Sequence, residues 1–547
     1  GPGPVHGAHV ARRRRRRGAG IGGAARPIVA LGLLDAVASA GAPSIAVLVL
    51  VIAVGLALGV AVTGGRGWWR PGARILGTAL AATVVAFVLL LPWSAALLAG
   101  PERWQALGGL APGRGSVPGL GALVRLAVGP IGNSPLSWAF LVAAALPLVI
   151  GARWRLAWAG RMWVLALVAW VTTWASGHGW LGALTPSAQV LLAPAAVAVA
   201  VAVGLGAASF ESDLRGYRFG WRQAATAAAA VAAVVGVVPV VAASANGRWD
   251  LPLSGYGQAT SWMAGQRSTS GAFRVLWLGD PRVLPGGGWS LDPGLAYSVS
   301  ENGLGDASTV WSGSSPGAAA RVGDLVELAR RGSTVRLGQL LAPYAIRYVV
   351  VVDTLAPSIA GFQSPLGYAP PADLTPALLS QLDLRQIIGQ GGFEVFVDDA
   401  ALPERAVRAA GGGASSRSVT PATVGSAVPP APSLSGWTPV LGAGARGATA
   451  VSGRVPAGTV LAAVAPARAW QLVGADGRVE RSQTAFGYAA SFTVTRPQPV
   501  TVRFEGSVSH GVETIIEILL WVVAVAFLLG RRRPGRRRPR RSRVGRA

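Results

Sequence analysis

The chain has 547 residues, 51% of them hydrophobic and only 13% charged, where a soluble protein of this size carries about a quarter charged. It has no cysteine, which excludes disulfides, thiolate metal sites and cysteine nucleophiles. The net charge of +26 points away from nucleic acid, because the basic residues are all arginine and concentrate at the two ends and in short loops between apolar segments, the positive-inside pattern of a membrane protein.

Residues 1–26 read as a basic cytoplasmic leader or linker carrying Arg12–Arg17. The sequence starts on Gly1 rather than methionine, which fits either the remnant of a cleaved tag or the C-terminal part of a longer polypeptide, and the linker-like start makes the second the expectation. Residues 27–246 form a membrane domain. Helices are predicted near 43–64, 75–98, 136–152, 161–177, 187–209 and 222–245, each close to the ~20 apolar residues that span a bilayer core. Three short loops are dense in arginine: Gly64–Arg74, Gly151–Arg161 and Glu211–Arg222. They fall on one side if the helices alternate, and that side is cytoplasmic. The loops Pro101–Pro135 and Ser176–Ser187 fall on the other. This scheme requires the short segment 27–41 to cross as well, as a tilted or broken helix. Trp68, Trp69, Trp93, Trp104, Trp138, Trp154, Trp158 and Trp180 lie near predicted helix ends, as an aromatic belt does.

Residues 247–410 read as an extracytoplasmic α/β domain. Phe273–Gly279 and Ile346–Val352 are nearly continuous apolar β runs, Leu384–Ile388 and Phe393–Val397 are further strands, and Arg321–Arg331 has helical spacing. Residues 411–435 are rich in Gly, Ser and Pro and read as a linker. Residues 436–510 read as a small β-sandwich, with strands near Val460–Val464, Ala469–Val473, Ser491–Val494 and Val500–Phe504 and an Asp476-Gly477 hairpin turn. A last transmembrane helix spans 511–530, and the tail 531–547 is basic and cytoplasmic. The predicted architecture is therefore a polytopic α-helical membrane domain, an extracytoplasmic α/β domain and a small β-sandwich, closed by a C-terminal transmembrane helix in the plasma membrane.

Candidate chemistry is sparse. The four histidines show no metal-ligand spacing, and no phosphate-cradling loop or nucleophile elbow is present. No metal or cofactor is expected within this chain. Asp35 is the one carboxylate inside an apolar stretch before the final helix. It is either a functional acid in the membrane or the polar edge of an interfacial helix. Glu102 is the one acid in an outer loop of the membrane domain, and either serves as a base there or pairs with a neighbouring cation. In the 247–410 domain, Trp277, Asp280, Trp289, Asp292, Tyr297 and Trp311 interleave rings with acids. That composition suits a carbohydrate site, where rings stack on sugar faces and carboxylates accept hydroxyl protons. It also suits an ordinary loop-rich surface. Expected partners are membrane lipid, a lipid-linked sugar and cell-envelope glycan, and not nucleic acid.

Three stretches carry a resemblance. Residues 340–353 (LLAPYAIRYVVVVD) and 382–406 (LDLRQIIGQGGFEVFVDDAALPERA) place Phe396, Asp399, Leu402, Pro403 and Arg405 in a strand-then-Leu-Pro-Arg pattern, with Asp399 where the pattern has Asn and Glu404 inserted before the arginine. Residues 467–494 carry Trp470, Asp476, Gly477, Phe486, Gly487 and Phe492 in a β-module just before the last helix. Together these resemble actinobacterial cell-envelope proteins in which a cytoplasmic family-2 glycosyltransferase domain precedes a many-helix membrane region and an outer domain of this kind. The resemblance covers about residues 250–530. It implies a glycosyltransferase of envelope polysaccharide or glycolipid assembly, with the nucleotide-sugar site upstream of this chain, and it carries over no catalytic residue. The alternative is a non-enzymatic envelope scaffold or transport component.

Overall fold

The computed structural model describes residues 22–65, 67–97, 104–108, 119–127, 134–181, 186–213, 220–245, 255–301, 317–357, 367–389, 392–409, 436–442, 449–465, 467–506 and 508–530. The first part is a helical bundle: α1 (Gly22–Gly41), α2 (Ile45–Thr63), α3 (Trp69–Leu89), α4 (Trp138–Ile150), α5 (Trp154–Gly177), α6 (Ala188–Asp213) and α7 (Trp221–Ala245). Among the described residues six helices are long and apolar enough to cross a membrane: α2, α3, α5, α6, α7 and the C-terminal helix. The shorter apolar stretch Pro135–Ile150 contains α4.

Two expectations change here. The segment 27–41 is not short or broken: α1 is one continuous 20-residue helix that includes Pro27, about 30 Å long at 1.5 Å per residue. The helices α3 and α5 start at Trp69 and Trp154, well before the apolar runs that marked them in the sequence. Their first turns are built from tryptophan and arginine, which hydropathy alone reads as loop.

The helices pack in a row. Neighbouring pairs are α1 with α3, α3 with α2, α2 with α5, α5 with α6, α6 with α4, and α4 with α7. Glycines permit the close crossings. A Cβ on Gly55 would fall 2.6 Å from Leu165 Cδ1, and one on Gly59 2.9 Å from the Arg161 Cα, so the Gly55-x-x-x-Gly59 face of α2 takes α5 at backbone range. The Arg161 Nε–H then donates to Thr63 Oγ1 at 3.1 Å. On α1, a Cβ at Gly32 would sit 2.7 Å from Val85 Cβ of α3.

The second part is β-rich. A six-stranded sheet has the order β2-β3-β1-β4-β6-β5, with β1 (Arg274–Gly279), β2 (Trp289–Asp292), β3 (Leu295–Glu301), β4 (Ile346–Val352), β5 (Leu384–Gly389) and β6 (Phe393–Asp398). Only β1 and β4 pair in parallel; the other neighbours are antiparallel. Alternate residues serve opposite faces. Leu276, Leu278, Val349 and Val351 pack with α8 (Gly317–Arg330), α9 (Leu337–Leu341) and α10 (Leu374–Leu379). Val275, Trp277, Tyr348, Val350 and Val352 pack with Tyr256, Met263 and Leu284 on the other side. Burial on both faces is why β4 is nearly continuously apolar, with Arg347 as its one half-buried charge.

A sandwich follows. One sheet runs β13-β14-β10-β7-β8 and the other β12-β11-β15-β9. Its strands are β7 (Arg405–Ala409), β8 (Trp437–Pro439), β9 (Ala450–Val455), β10 (Gly458–Ala462), β11 (Trp470–Gly474), β12 (Val479–Arg481), β13 (Gln483–Ala485), β14 (Ala489–Val494) and β15 (Gln498–Phe504). The Asp476-Gly477 turn joins β11 to β12 as expected, with Gly477 at φ +76°. The expected boundary at 410 moves: β7 pairs with β10 and β8 and so belongs to the sandwich. The two modules share a core of Ala342, Ala345, Leu402, Leu461, Tyr488 and Ala489. Across it Tyr344 and Tyr488 stack with centroids 4.7 Å apart, and the Tyr488 hydroxyl donates to the Pro343 carbonyl. The chain returns to the bundle through α11 (Val508–Leu529). Trp521 Nε1 of that helix donates to the Leu89 carbonyl at 2.9 Å, and the Arg26 guanidinium donates to the Gly530 carbonyl.

Candidate functional site

The parallel pair β1/β4 sets the geometry of the sheet's functional edge. Gly279 is paired with Val352, so the next residues, Asp280 and Asp353, emerge level at the carboxyl ends of adjacent strands. In open α/β sheets that edge is where ligands bind. The two acids have different surroundings. Asp280 is 1% exposed and fully engaged: its Oδ1 accepts from Arg282 Nε at 2.7 Å and its Oδ2 from the same guanidinium at 2.8 Å. The Arg282 Cζ lies 3.5 Å from the Tyr368 ring centroid. Asp280 therefore anchors a loop.

Asp353 is the available acid. Its Oδ1 is enclosed and has no hydrogen-bond partner among the described residues, and burial pushes its carboxyl above the usual carboxylate range. Gly392, at φ +79°, brings its backbone against the carboxyl; a Cβ there would meet Asp353 Oδ1 and Thr354 Oγ1, both at 2.4 Å. Beside Asp353 is a cavity of about 280 Å³ lined by Asp353, Thr375, Glu394, Phe393, Gly389 and the Pro370-Pro371-Ala372 segment. This is just under the range of small-molecule sites, which run from roughly 300 to 1,000 Å³. Glu394 faces it from β6 and accepts from Thr375 Oγ1 at 3.0 Å. Next to Asp353, Tyr256 packs against Phe393 and donates its hydroxyl to the Thr354 carbonyl; burial pushes this phenol up to about 12. A cavity with two carboxylates, one partly desolvated and one held by a hydroxyl, can accept several hydrogen bonds from a polyhydroxylated ligand.

The residues singled out from sequence do not assemble there. Trp277 is wholly buried and donates Nε1 to Ser300 Oγ at 2.7 Å. Tyr297 is 2% exposed and donates its hydroxyl to the Ala319 carbonyl at 2.9 Å. Neither offers a ring face to a sugar, and they serve opposite faces of the sheet, which corrects the reading of these residues as one acid-and-aromatic surface. Trp289 packs half-buried against Tyr297 with centroids 5.5 Å apart. Asp292 lies 3.5 Å from Arg330, whose guanidinium also pairs with Glu327 and Asp373. Trp311 and Glu102 lie outside the described residues. Asp35 is not at a polar edge: it is 2% exposed within the bundle, its Oδ1 accepts from Ser39 Oγ at 3.1 Å, and its Oδ2 is enclosed without a hydrogen-bond partner among the described residues. Among the described residues no group of three or more His, Asp or Glu side chains could hold a metal ion.

No protein-family model matches the chain, and no curated protein matches it. Two solved structures overlap with it. One is the cryo-EM structure of the arabinofuranosyltransferase AftD from mycobacteria, at 15% identity and TM-score 0.28, covering 84% of this chain and 44% of that one. The other is a mutant of the same protein, at 14% identity and TM-score 0.28, covering 88% of this chain and 47% of that one. The chain spans less than half the length of the proteins it overlaps.

Proposed function

We propose that this chain is the membrane and outer-face module of a glycosyltransferase in cell-envelope polysaccharide or glycolipid assembly, and that the cavity between Asp353 and Glu394 holds part of a glycan. The observation that supports this most is a polar, carboxylate-lined cavity on a β-rich unit that is tied to the helical bundle at both ends, by α7 and α11. A glycan held there stays close to a membrane surface, where a lipid-linked sugar would be met. In this reading the arginine-dense helix ends face the cytoplasm and the 255–506 unit faces outward. Sugar transfer itself belongs to a separate nucleotide-sugar-binding domain or subunit, and no acid of this chain is given a catalytic role.

The test is binding of envelope-derived oligosaccharides to the detergent-solubilised chain, followed by saturation-transfer NMR, for wild type, Asp353→Asn and Glu394→Gln. Saturation transfer in the wild type that is lost in both variants supports the reading. Absence of transfer in the wild type, or equal transfer in all three, removes the cavity from it and favours a scaffold or transport component.

A further inference from the structure

The two ends of the bundle differ in a way that the glycan reading does not use. Packing fixes which helix ends lie together. Gly59 and Thr63, at the end of α2, meet Arg161 and Gly160 in the first turns of α5. Gly151, after α4, lies against Ser209 at the end of α6. Arg26 at the start of α1 meets Gly530 after α11. The starts of α1, α3, α5 and α7 therefore share one face with the ends of α2, α4, α6 and α11.

That face carries a repeated pair. Trp69-Arg70, Trp154-Arg155 and Trp221-Arg222 are the first two residues of α3, α5 and α7. In each, the guanidinium carbon lies over the neighbouring indole, at 5.2, 5.1 and 5.7 Å from the ring centroid. The three rings are 58%, 57% and 65% exposed. Arg74 and Arg153 add exposed charge, and among the described residues no carboxylate pairs with Arg70, Arg74 or Arg153. At the opposite helix ends Arg125 is the one described arginine.

We propose that this face is a binding surface for anionic phospholipid. An exposed indole stays at the boundary between acyl chains and headgroups, and its arginine is held beside it at the depth of the phosphates, where the planar guanidinium can bridge two phosphate oxygens. Charge complementarity selects anionic over zwitterionic headgroups, by on the order of fivefold per cation near the surface. The Trp-Arg pairs thus set the depth of three helices and hold a lipid annulus of one charge on one side.

The test uses the full chain reconstituted in nanodiscs of equal phosphatidylglycerol and phosphatidylcholine, with the lipids retained after detergent extraction read by native mass spectrometry. The wild type is expected to keep phosphatidylglycerol over phosphatidylcholine by roughly tenfold or more. The variant Arg70→Gln/Arg74→Gln/Arg153→Gln, with every tryptophan left in place, is expected to lose most of that preference, and Arg125→Gln to keep it. Equal retention of both lipids by the wild type overturns the proposal. So does an undiminished preference in the triple variant, which would move the effect to the terminal arginine runs, or an equal loss in Arg125→Gln, which would reduce it to net charge. If the triple variant does not fold, brominated lipids decide the matter on the wild type alone: stronger tryptophan quenching by brominated phosphatidylglycerol than by brominated phosphatidylcholine supports the surface, and equal quenching overturns it.

Discussion

Replacing Asp398 by asparagine should remove most of the pH dependence of stability from the six-stranded sheet. Asp398 ends β6 and is 1% exposed. Its Oδ1 accepts from the Ala400 N–H at 2.8 Å, while Oδ2 is enclosed without a partner among the described residues. Burial pushes its carboxyl up to about 8, and the neighbouring Asp383 and Asp399 push the same way against a smaller opposing pull from Arg347. The folded-state value lies above the unfolded one, so the fold is favoured by the proton. Stability is fully present below about pH 4 and is lost as pH rises toward 8. About four pH units at roughly 1.4 kcal/mol each set an upper bound on the order of 5 kcal/mol. Asparagine keeps the acceptor for Ala400 and never ionises. At roughly 2–4 °C per kcal/mol for a unit of this size, the variant should melt about 10 °C above wild type at pH 8 and close to it at pH 4. Thermal unfolding of the solubilised chain across that range, with hydrogen exchange of β4 and β6 peptides as a local probe, reads the effect. Parallel pH profiles for wild type and variant would refute the reasoning.

Three further outcomes follow from packing. Gly55→Leu should separate α2 from α5, costing about 1–3 kcal/mol or more by overpacking, whereas Gly77→Leu, which has open space around it, should be tolerated; size-exclusion profiles after heating compare them. Tyr488→Phe should leave the Pro343 carbonyl without its donor in a buried interface, at about 1–3 kcal/mol, and limited proteolysis should then cut between the modules first. Asp35→Leu should misplace α1 against α3 less than Asp35→Arg does, since the site is enclosed and a buried unpaired guanidinium costs far more than a buried alkyl chain; the thermal stability of the purified chain ranks the two.

Much of the architecture is legible in the sequence because burial leaves a pattern. The run Tyr348–Val352 is apolar because both faces of β4 are covered there, and Asp476-Gly477 marks its hairpin because Gly477 needs a positive φ. What is less visible depends on tertiary pairing. A helix turn made of Trp69 and Arg70 looks like a loop to hydropathy, and β7 looks like the last strand of the first module until β10 pairs with it. Trp277 reads as a surface ring among acids, since an alternating strand does not say which face has a lid. The candidate site is hidden in the sequence for the same reason. Asp353 and Glu394 lie on separate sequence segments and meet only because Val352 pairs with Phe393; the available signal was an acid directly after each of two buried parallel strands, at Asp280 and Asp353.

The central claim is most directly tested in the cell of origin, by replacing the native gene with one encoding Asp353→Asn and Glu394→Gln together and analysing the envelope glycans by mass spectrometry at matched protein levels. The account predicts shortened or missing glycan with the protein still in the membrane. An unchanged glycan profile at normal protein abundance would contradict it.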